Sequence, residues 1–357
     1  MMIAPHPDDE SLAAGVLLQR AAVAGAAVRV IYITDGDDNP WPQRVLEKRW
    51  HLNAADRARW GTRRRKEAIA ALGVLGLRAS DARFLRLPDQ GLTRALLHDC
   101  NKTSARIGRM IADWAPTHLL VPSEMDTHPD HSAVALLLRF AVENFSISER
   151  RCVLLSYLVH GRRTQFSCQA MVLEQTESET LVKRRAITEH WTQVKFSRRR
   201  FISYALRSEC FRLAGHPVRT FSKNGNCAAF RDREQVRLVL RFRLQSLGAE
   251  PTTLYIVGRD RKDAPLTICM QLPPRDASIQ VTDCATGHRV GIATYRGHSF
   301  GVTVTLPTTL FAADWPLFAK LRQRRWFFDK VGWIEIQPTR FERRPTSGAI
   351  QQSLVSA

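Results

Sequence analysis

Apolar positions in the first half of the chain alternate between short β-branched runs and helical stripes. Residues 2–4 are a short apolar run, and residues 11–24 space Leu12, Val16, Leu17 and Val23 for one buried helical face. Residues 28–33 then form a β-branched run that ends in Thr34-Asp35-Gly36. A strand, a helix and a second strand in so short a span predict a βαβ unit and a parallel sheet. The pattern continues with a helix over 64–75, a strand over 82–87, one helix over 95–114, a strand over 118–122, a helix over 131–142 and a strand over 152–159. Residues 180–213 carry helical patterns. The expected fold is α/β: a Rossmann-like, mostly parallel sheet with helices on both faces.

After residue 216 the texture changes. Residues 236–244 alternate apolar and basic side chains, and further strand candidates follow over 254–257, 266–272, 278–281, 290–295 and 301–306, with a last one within 329–338. Short strands at this spacing predict a β-sandwich or a small barrel. The 357 residues exceed one ordinary core. The expected division is a catalytic domain over 1–215, a β-rich, sandwich-like accessory domain over 216–340 and a disordered tail over 341–357. Residues 37–61 carry Trp41, Trp50 and Trp60 among arginines. A polar segment this long reads either as a lid with aromatic faces for a sugar ring or as a small helical excursion with docked tryptophans.

Composition narrows the setting. The hydrophobic share of 44% is that of a globular chain. The formal net charge of +19 suggests an anionic partner, namely nucleic acid, a phosphorylated substrate or an anionic membrane surface, against the plainer reading of solvated basic faces. The seven cysteines are odd in number and form no CxxC pair, which argues against a disulfide framework or a cysteine zinc site. A reducing cytoplasm is expected, with peripheral contact to the inner face of a membrane as one use of the charge. No apolar run is long enough to span a bilayer, and no signal peptide is visible. Only residues 2–4 precede the first polar motif as strand, where about five are usual. The natural start is therefore expected upstream.

Candidate chemistry lies at two strand ends. Pro5-His6-Pro7-Asp8-Asp9-Glu10 follows the first run, and Asp126-Thr127-His128-Pro129-Asp130-His131 follows the strand over 118–122. In a doubly wound sheet, ligands bind beyond the carboxyl ends of the strands, so two distant motifs can converge. A catalytic zinc takes three nitrogen or oxygen ligands and keeps one position open for water. His6 and Asp9, three apart on a tight loop, supply two ligands, and His131 supplies the third. Asp8 then stands beside the metal as a general base, and His128 is left to stabilise an oxyanion as an imidazolium and to protonate the departing amine. Taken alone, the HPDD stretch reads equally well as a helix N-cap.

Pro5-His6-Pro7-Asp8-Asp9-Glu10, Thr34-Asp35-Gly36, Arg64-x-x-Glu67, Pro88-Asp89 and Asp126-x-His128-Pro129-Asp130-His131 occur in that order. Together they resemble the LmbE/PIG-L family of zinc-dependent N-acetylglucosamine deacetylases, over roughly residues 1–215. The segment with Lys183 and Gln193 resembles the family's closing helix. The resemblance implies the same roles: His6, Asp9 and His131 as metal ligands, Asp8 as base and His128 as oxyanion or acid group. It also implies that Arg64 and Asp89 face the substrate. The cofactor it implies is Zn2+, with Fe2+ as the alternative. The substrate it implies is an N-acetylated sugar or glycoconjugate.

Three functions follow. The first is a metal-dependent N-deacetylase acting on an N-acetylglucosamine-type amino sugar. The second keeps the metal site but cleaves another amide or an ester. The third is a non-catalytic nucleic-acid or anionic-surface binder. It has only the charge in its favour, because no specific nucleic-acid motif is present. Oligomeric state and the role of the β-rich region have no signature in the sequence.

Overall fold

The β-branched runs pair as parallel strands. The computed structural model describes residues 1–147, 152–161, 170–214, 227–231, 235–240, 252–298, 301–322, 324–325 and 328–337. Strands β1 (Met2–Ala4), β2 (Val30–Thr34), β3 (Ala82–Leu87), β4 (His118–Pro122) and β5 (Val153–Tyr157) are parallel. Strands β6 (Met171–Leu173) and β7 (Glu209–Leu213) extend the sheet in antiparallel fashion, giving the order β3-β2-β1-β4-β5-β7-β6. The connections reverse direction between β1 and β4, which opens a crevice at their carboxyl ends.

Alternation along the strands sets the two layers. Ile3, Ile31, Ile33, Leu119 and Val121 pack into one core, while Met2, Ala4, Val30, Tyr32 and Leu120 pack into the other. The first core takes α4 (Leu92–His98), α5 (Cys100–Trp114) and α6 (Pro129–Asn144). The second takes α1 (Asp9–Val23), α3 (Ala54–Val74), α7 (Glu177–Glu189) and α8 (Trp191–Ala205). Strands covered on both faces read as nearly continuous apolar runs, as these do.

The helices differ from expectation in three places. The helix expected over 64–75 begins ten residues earlier, because Asn53 and Asp56 form a reciprocal capping box at its N-terminus. The single helix expected over 95–114 is α4 and α5, broken at Asp99, whose φ of −131° is not helical. The helical pattern expected through residue 213 stops at α8, and residues 209–213 are strand β7. The tryptophan-rich segment folds as α2 (Pro40–Glu47) and the start of α3, which favours the helical excursion over the lid. Trp60 is fully buried, whereas Trp41 and Trp50 are exposed.

Among the described residues, most of the β-rich region forms one antiparallel sheet. Its nine strands are β8 (Cys227–Arg231), β9 (Gln235–Leu240), β10 (Thr252–Arg259), β11 (Pro265–Leu272), β12 (Ala277–Asp283), β13 (Arg289–His298), β14 (Gly301–Pro307), β15 (Leu317–Leu321) and β18 (Ile334–Ile336), in the order β18-β15-β10-β11-β12-β13-β14-β9-β8. The edge strands β8 and β18 approach each other, so the sheet curls around its own core of Val236, Ile256, Ile268, Val281, Val304 and Leu317. Of the sandwich and the barrel, this is the barrel-like form; a single sheet that rolls up needs no second sheet to cover its apolar face. A small hairpin of β16 (Arg324–Arg325) and β17 (Phe328–Asp329) projects from it. The boundary expected at 216, the end of the 236–244 run beyond Leu240 and the tail over 341–357 lie outside the described residues. No helix among the described residues is long and apolar enough to cross a membrane.

The curled sheet packs on α6. Trp315 stacks on Phe140 with ring centroids 4.7 Å apart, and Val257, Phe318 and Trp333 join the same core. Arg259 Nη2 donates to Asn144 Oδ1 at the helix's end (2.8 Å).

Helix α1 is kinked at Ala14 (φ −139°), which frees the amides one turn on. Glu209 from β7 accepts hydrogen bonds from Val16 N (2.7 Å) and Leu17 N (3.0 Å), and its carboxylate also pairs with buried Lys183 Nζ (2.8 Å). One carboxylate thus joins α1, α7 and β7. Glu209→Ala is expected to destabilise the fold by about 3–5 kcal/mol, since it strands a buried ammonium and two amides; urea denaturation measures it.

Candidate metal centre

Pro5-His6-Pro7-Asp8 turns sharply out of β1. Thr34 anchors the turn, its backbone N–H (3.0 Å) and its hydroxyl (2.9 Å) both donating to Pro5 O. Asp8 has a φ of 126°, a region that non-glycine residues rarely enter, so other contacts must hold it there. Two do. Its N–H donates to Glu10 Oε2 (3.0 Å), and Arg64 Nη2 donates to Asp8 Oδ2 (2.9 Å) and to Pro7 O. Arg64 Nη1 donates to Gly36 O (2.9 Å).

The second motif caps α6. His128 is the N-cap residue, and its Nδ1 accepts from Asp130 N (3.2 Å). Asp126 Oδ1 accepts from His128 N (2.8 Å), while its Oδ2 accepts from Val159 N (3.1 Å) and His160 N (3.0 Å) beyond β5. Pro129 at the first helical position fixes the entry angle, so Asp130 and His131 project from the first turn.

The two loops converge. His6 Nδ1 lies 3.2 Å from His131 Nε2, His131 Nε2 lies 3.3 Å from Asp9 Oδ2, and Asp9 Oδ2 lies 3.6 Å from His6 Nδ1. Each imidazole has its other nitrogen committed to carboxylates. His6 Nε2 faces Asp89 Oδ1 (3.1 Å) and Asp130 Oδ2 (3.3 Å), and His131 Nδ1 faces Asp126 Oδ2 (3.2 Å). With a cation in the triangle, a proton on each outer nitrogen leaves the inner nitrogens as lone pairs aimed into it. Ligands about 2.1 Å from a tetrahedral ion stand about 3.4 Å apart, and the triangle has that size. The donor set therefore fits a divalent cation. His128 and His160 are also within reach of the same centre, His128 with the His6–His131 pair and His160 with Asp9 and His131.

Protonation follows from the same contacts. Burial opposes a charge on the imidazoles, but the surrounding carboxylates prevail: His6 is held well above its ordinary value and His131 is raised to about 10. Burial likewise works against a charge on Asp9, yet His131 and His6 keep it well below the carboxylate range. Burial pushes Asp8 up to about 6, with Arg64 opposing and Asp9 adding. Burial and its three histidine neighbours hold His128 well below its ordinary value. Because His128 Nδ1 accepts a backbone N–H, the ring is neutral and carries its proton on Nε2. The expected imidazolium is thus replaced by a neutral donor.

The expected site residues are brought together, but two of them face inward. Arg64 is 3% exposed, and its guanidinium is committed to Asp8 and to the carbonyls of Pro7 and Gly36. Asp89 is buried against His6, and its Oδ2 accepts from Asp38 N (2.8 Å). Both, expected to face the substrate, contact the His6 loop: Arg64 through Asp8 and Pro7, and Asp89 through His6. Glu10, which was given no role from the sequence, is fully buried and bonds His190 Nε2 (2.8 Å) and Ser11 Oγ (2.6 Å). Glu67 caps α8 by accepting from Thr192 N (3.1 Å) and Oγ1 (2.7 Å). His160 stands at a strand end and could have been found by the rule that exposed the two motifs. Nothing local marks His190.

Residues 1–142 match the family model described as PIG-L, GlcNAc-PI de-N-acetylase. They form a PIG-L family domain. Two curated relatives named 1D-myo-inositol 2-acetamido-2-deoxy-alpha-D-glucopyranoside deacetylase are similar to it. The one from Rhodococcus opacus is 32% identical over 160 residues, covering 40% of this chain and 52% of the relative. The one from Corynebacterium glutamicum is 30% identical over 138 residues, covering 35% and 46%. The chain spans about half the length of the curated relatives it matches. Among solved structures, N,N'-diacetylchitobiose deacetylase from Pyrococcus horikoshii aligns with a TM-score of 0.46 and 17% identity, over 63% of this chain and 87% of that one. The PIG-L domain contains the whole ligand triangle, whereas His160, His190 and the β-rich region lie outside the matched residues.

Gly36 tests the support behind Asp8. It sits at φ +63°, and a Cβ there would fall 1.7 Å from Arg64 Nη1. Gly36→Ala is expected to expel the guanidinium and to cost at least about 1–3 kcal/mol, read as a lower denaturation midpoint.

Proposed function

We propose that the chain is a metal-dependent hydrolase that removes the N-acetyl group from an N-acetylglucosamine-type amino sugar. The observation that carries this reading is the triangle of His6 Nδ1, Asp9 Oδ2 and His131 Nε2, with the strained, Arg64-held carboxylate of Asp8 next to it in the chain. The names of the relatives supply the substrate class. His6, Asp9 and His131 would hold the ion, and a nitrogen- and oxygen-donor set of this kind suits Zn2+, with Fe2+ as the alternative. When bound, the ion supplies Lewis acidity toward the amide carbonyl and lowers the pKa of a water.

The chain's own groups move the protons. Asp8 Oδ2 is fixed by Arg64, which leaves Oδ1 to accept the proton of the attacking water. A carboxyl raised by burial is a competent acceptor near neutrality and returns that proton to the departing amine. His128 Nε2–H is the donor for the oxyanion, because its Nδ1 is already an acceptor. Water adds to the carbonyl, the C–N bond breaks, and acetate and a free amine leave. Asp126, Asp89 and Asp130 keep the ligand imidazoles turned inward.

Activity and metal content test this reading. Full-length protein loaded with zinc should release acetate from N-acetylglucosamine conjugates. Asp8→Asn should keep its metal and lose about 10²–10⁴-fold in kcat; full turnover by the zinc-bound variant would overturn the role of Asp8. His131→Ala or His6→Ala should lose metal, measured by elemental analysis, whereas His128→Ala should retain metal and lose about 10²–10³-fold in kcat. Dialysis against a chelator should abolish acetate release, and added divalent metal should restore it.

A further inference from the structure

Around the buried ligand triangle, the half-exposed side chains include His128 and His160, and a third ring stands against them from far away in the chain. Phe328, on the hairpin that projects from the curled sheet, meets His128 edge-on at 5.6 Å (82°) and His160 at 5.2 Å. Arg200 of α8 lies over the same ring, with its guanidinium carbon 5.4 Å from the centroid and Nη2 3.2 Å from His160 Nδ1. Elsewhere on the rim the Asp38 carboxylate is paired with Arg57 Nη1 (2.7 Å). Asp38 is half-exposed and its N–H bonds Asp89, the partner of His6.

The position of Phe328 is firmly held. Asp329 N donates to Thr127 O (2.9 Å), and Trp333 N donates to Glu124 O (2.8 Å). Buried Lys320 bridges Asp329 Oδ2 (2.6 Å) to Ser132 Oγ of α6 (3.1 Å). Gly332 lies against residues 124–125 so closely that a Cβ would fall 2.3 Å from Glu124 O. The hairpin is thereby seated on the loop that presents His128.

From this geometry we infer that Phe328 and Arg200 form a substrate subsite beside His128, built from outside the PIG-L family domain. An aromatic face next to the oxyanion donor packs a sugar ring. Arg200 lies over one face of that ring, and its guanidinium takes an anionic substituent such as a phosphate or carboxylate. The site thus favours an acetamido sugar that carries an anion close to its ring. The inference rests on the proposed hydrolase reading for the identity of the reaction, not for the binding.

The test uses the full-length, zinc-loaded protein with N-acetylglucosamine 1-phosphate and the neutral methyl glycoside. Acetate release gives kcat and KM, and calorimetric titration of the Asp8→Asn protein gives affinity without turnover. The wild type should prefer the phosphate. Phe328→Ala should raise KM and Kd for both sugars about tenfold while kcat and zinc content stay within about threefold, and Phe328→Tyr should restore both constants. Arg200→Ala should bring the ratio of phosphate to neutral affinity close to one. Binding lost in these variants without any acetate release by the wild type would leave the subsite standing and remove the hydrolase reading. Acetate release with constants unchanged in Phe328→Ala, or no preference for the phosphate, or no binding of either sugar, would overturn the inference.

Discussion

The PIG-L domain holds two imidazole nitrogens and one carboxylate oxygen within 3.2–3.6 Å of each other. Protons on the two rings or a bound cation must neutralise the carboxylates buried around this triangle. Asp8, Asp9, Asp89, Asp126 and Asp130 are all buried around it, and Arg64 is the guanidinium that bonds directly to one of them. The outer carboxylates commit the far nitrogen of each ring, which fixes the direction in which the near nitrogen points. Removing a buried ligand from such a set leaves uncompensated charge, whereas a bound ion satisfies the whole set at once.

The fold brings the triangle together because the strand order reverses between β1 and β4. Two chain segments more than a hundred residues apart emerge there side by side, and each turns immediately into a helix N-terminus. That much was legible in the sequence. The buried strands are continuous β-branched runs, and the polar residues follow their ends directly, so residue type and strand position together locate His6, Asp9, His128 and His131. The PIG-L domain is legible for the same reason: its chemistry is local to two short loops.

What was not legible depends on partners distant in sequence. The resemblance implied only that Arg64 faces the substrate; its bonds to Asp8 and to the carbonyls of Pro7 and Gly36 come from partners far away in the chain. Glu209 reads as an ordinary acidic residue until the kink at Ala14 frees the amides it receives. The early start of α3 is decided by the Asn53–Asp56 capping box, which periodicity does not register. Some of the basic residues are likewise paired internally. Arg65 pairs with Asp35, Arg212 with Glu124 and Arg259 with Glu143, so the basic residues are not all offered to an anionic partner, although such pairs leave the excess of +19 unchanged.

Helix α6 links the two halves. Its first turn carries Asp130 and His131, and its last turns carry Phe140 and Asn144, on which Trp315 and Arg259 of the curled sheet pack. A ligand presented by the first turn of a helix is only as well placed as the helix itself, and a misplacement of about 1 Å is enough to lose a large part of the rate. The sheet therefore bears on the site in two ways: it fixes the axis of the helix that carries His131, and its hairpin grips the 124–127 backbone just before His128. An added module that merely tethered a glycan would need neither contact. One that bonds to the backbone of the ligand loop is built into the site's geometry, and substitutions in the β-rich region should be judged by their effect on that loop.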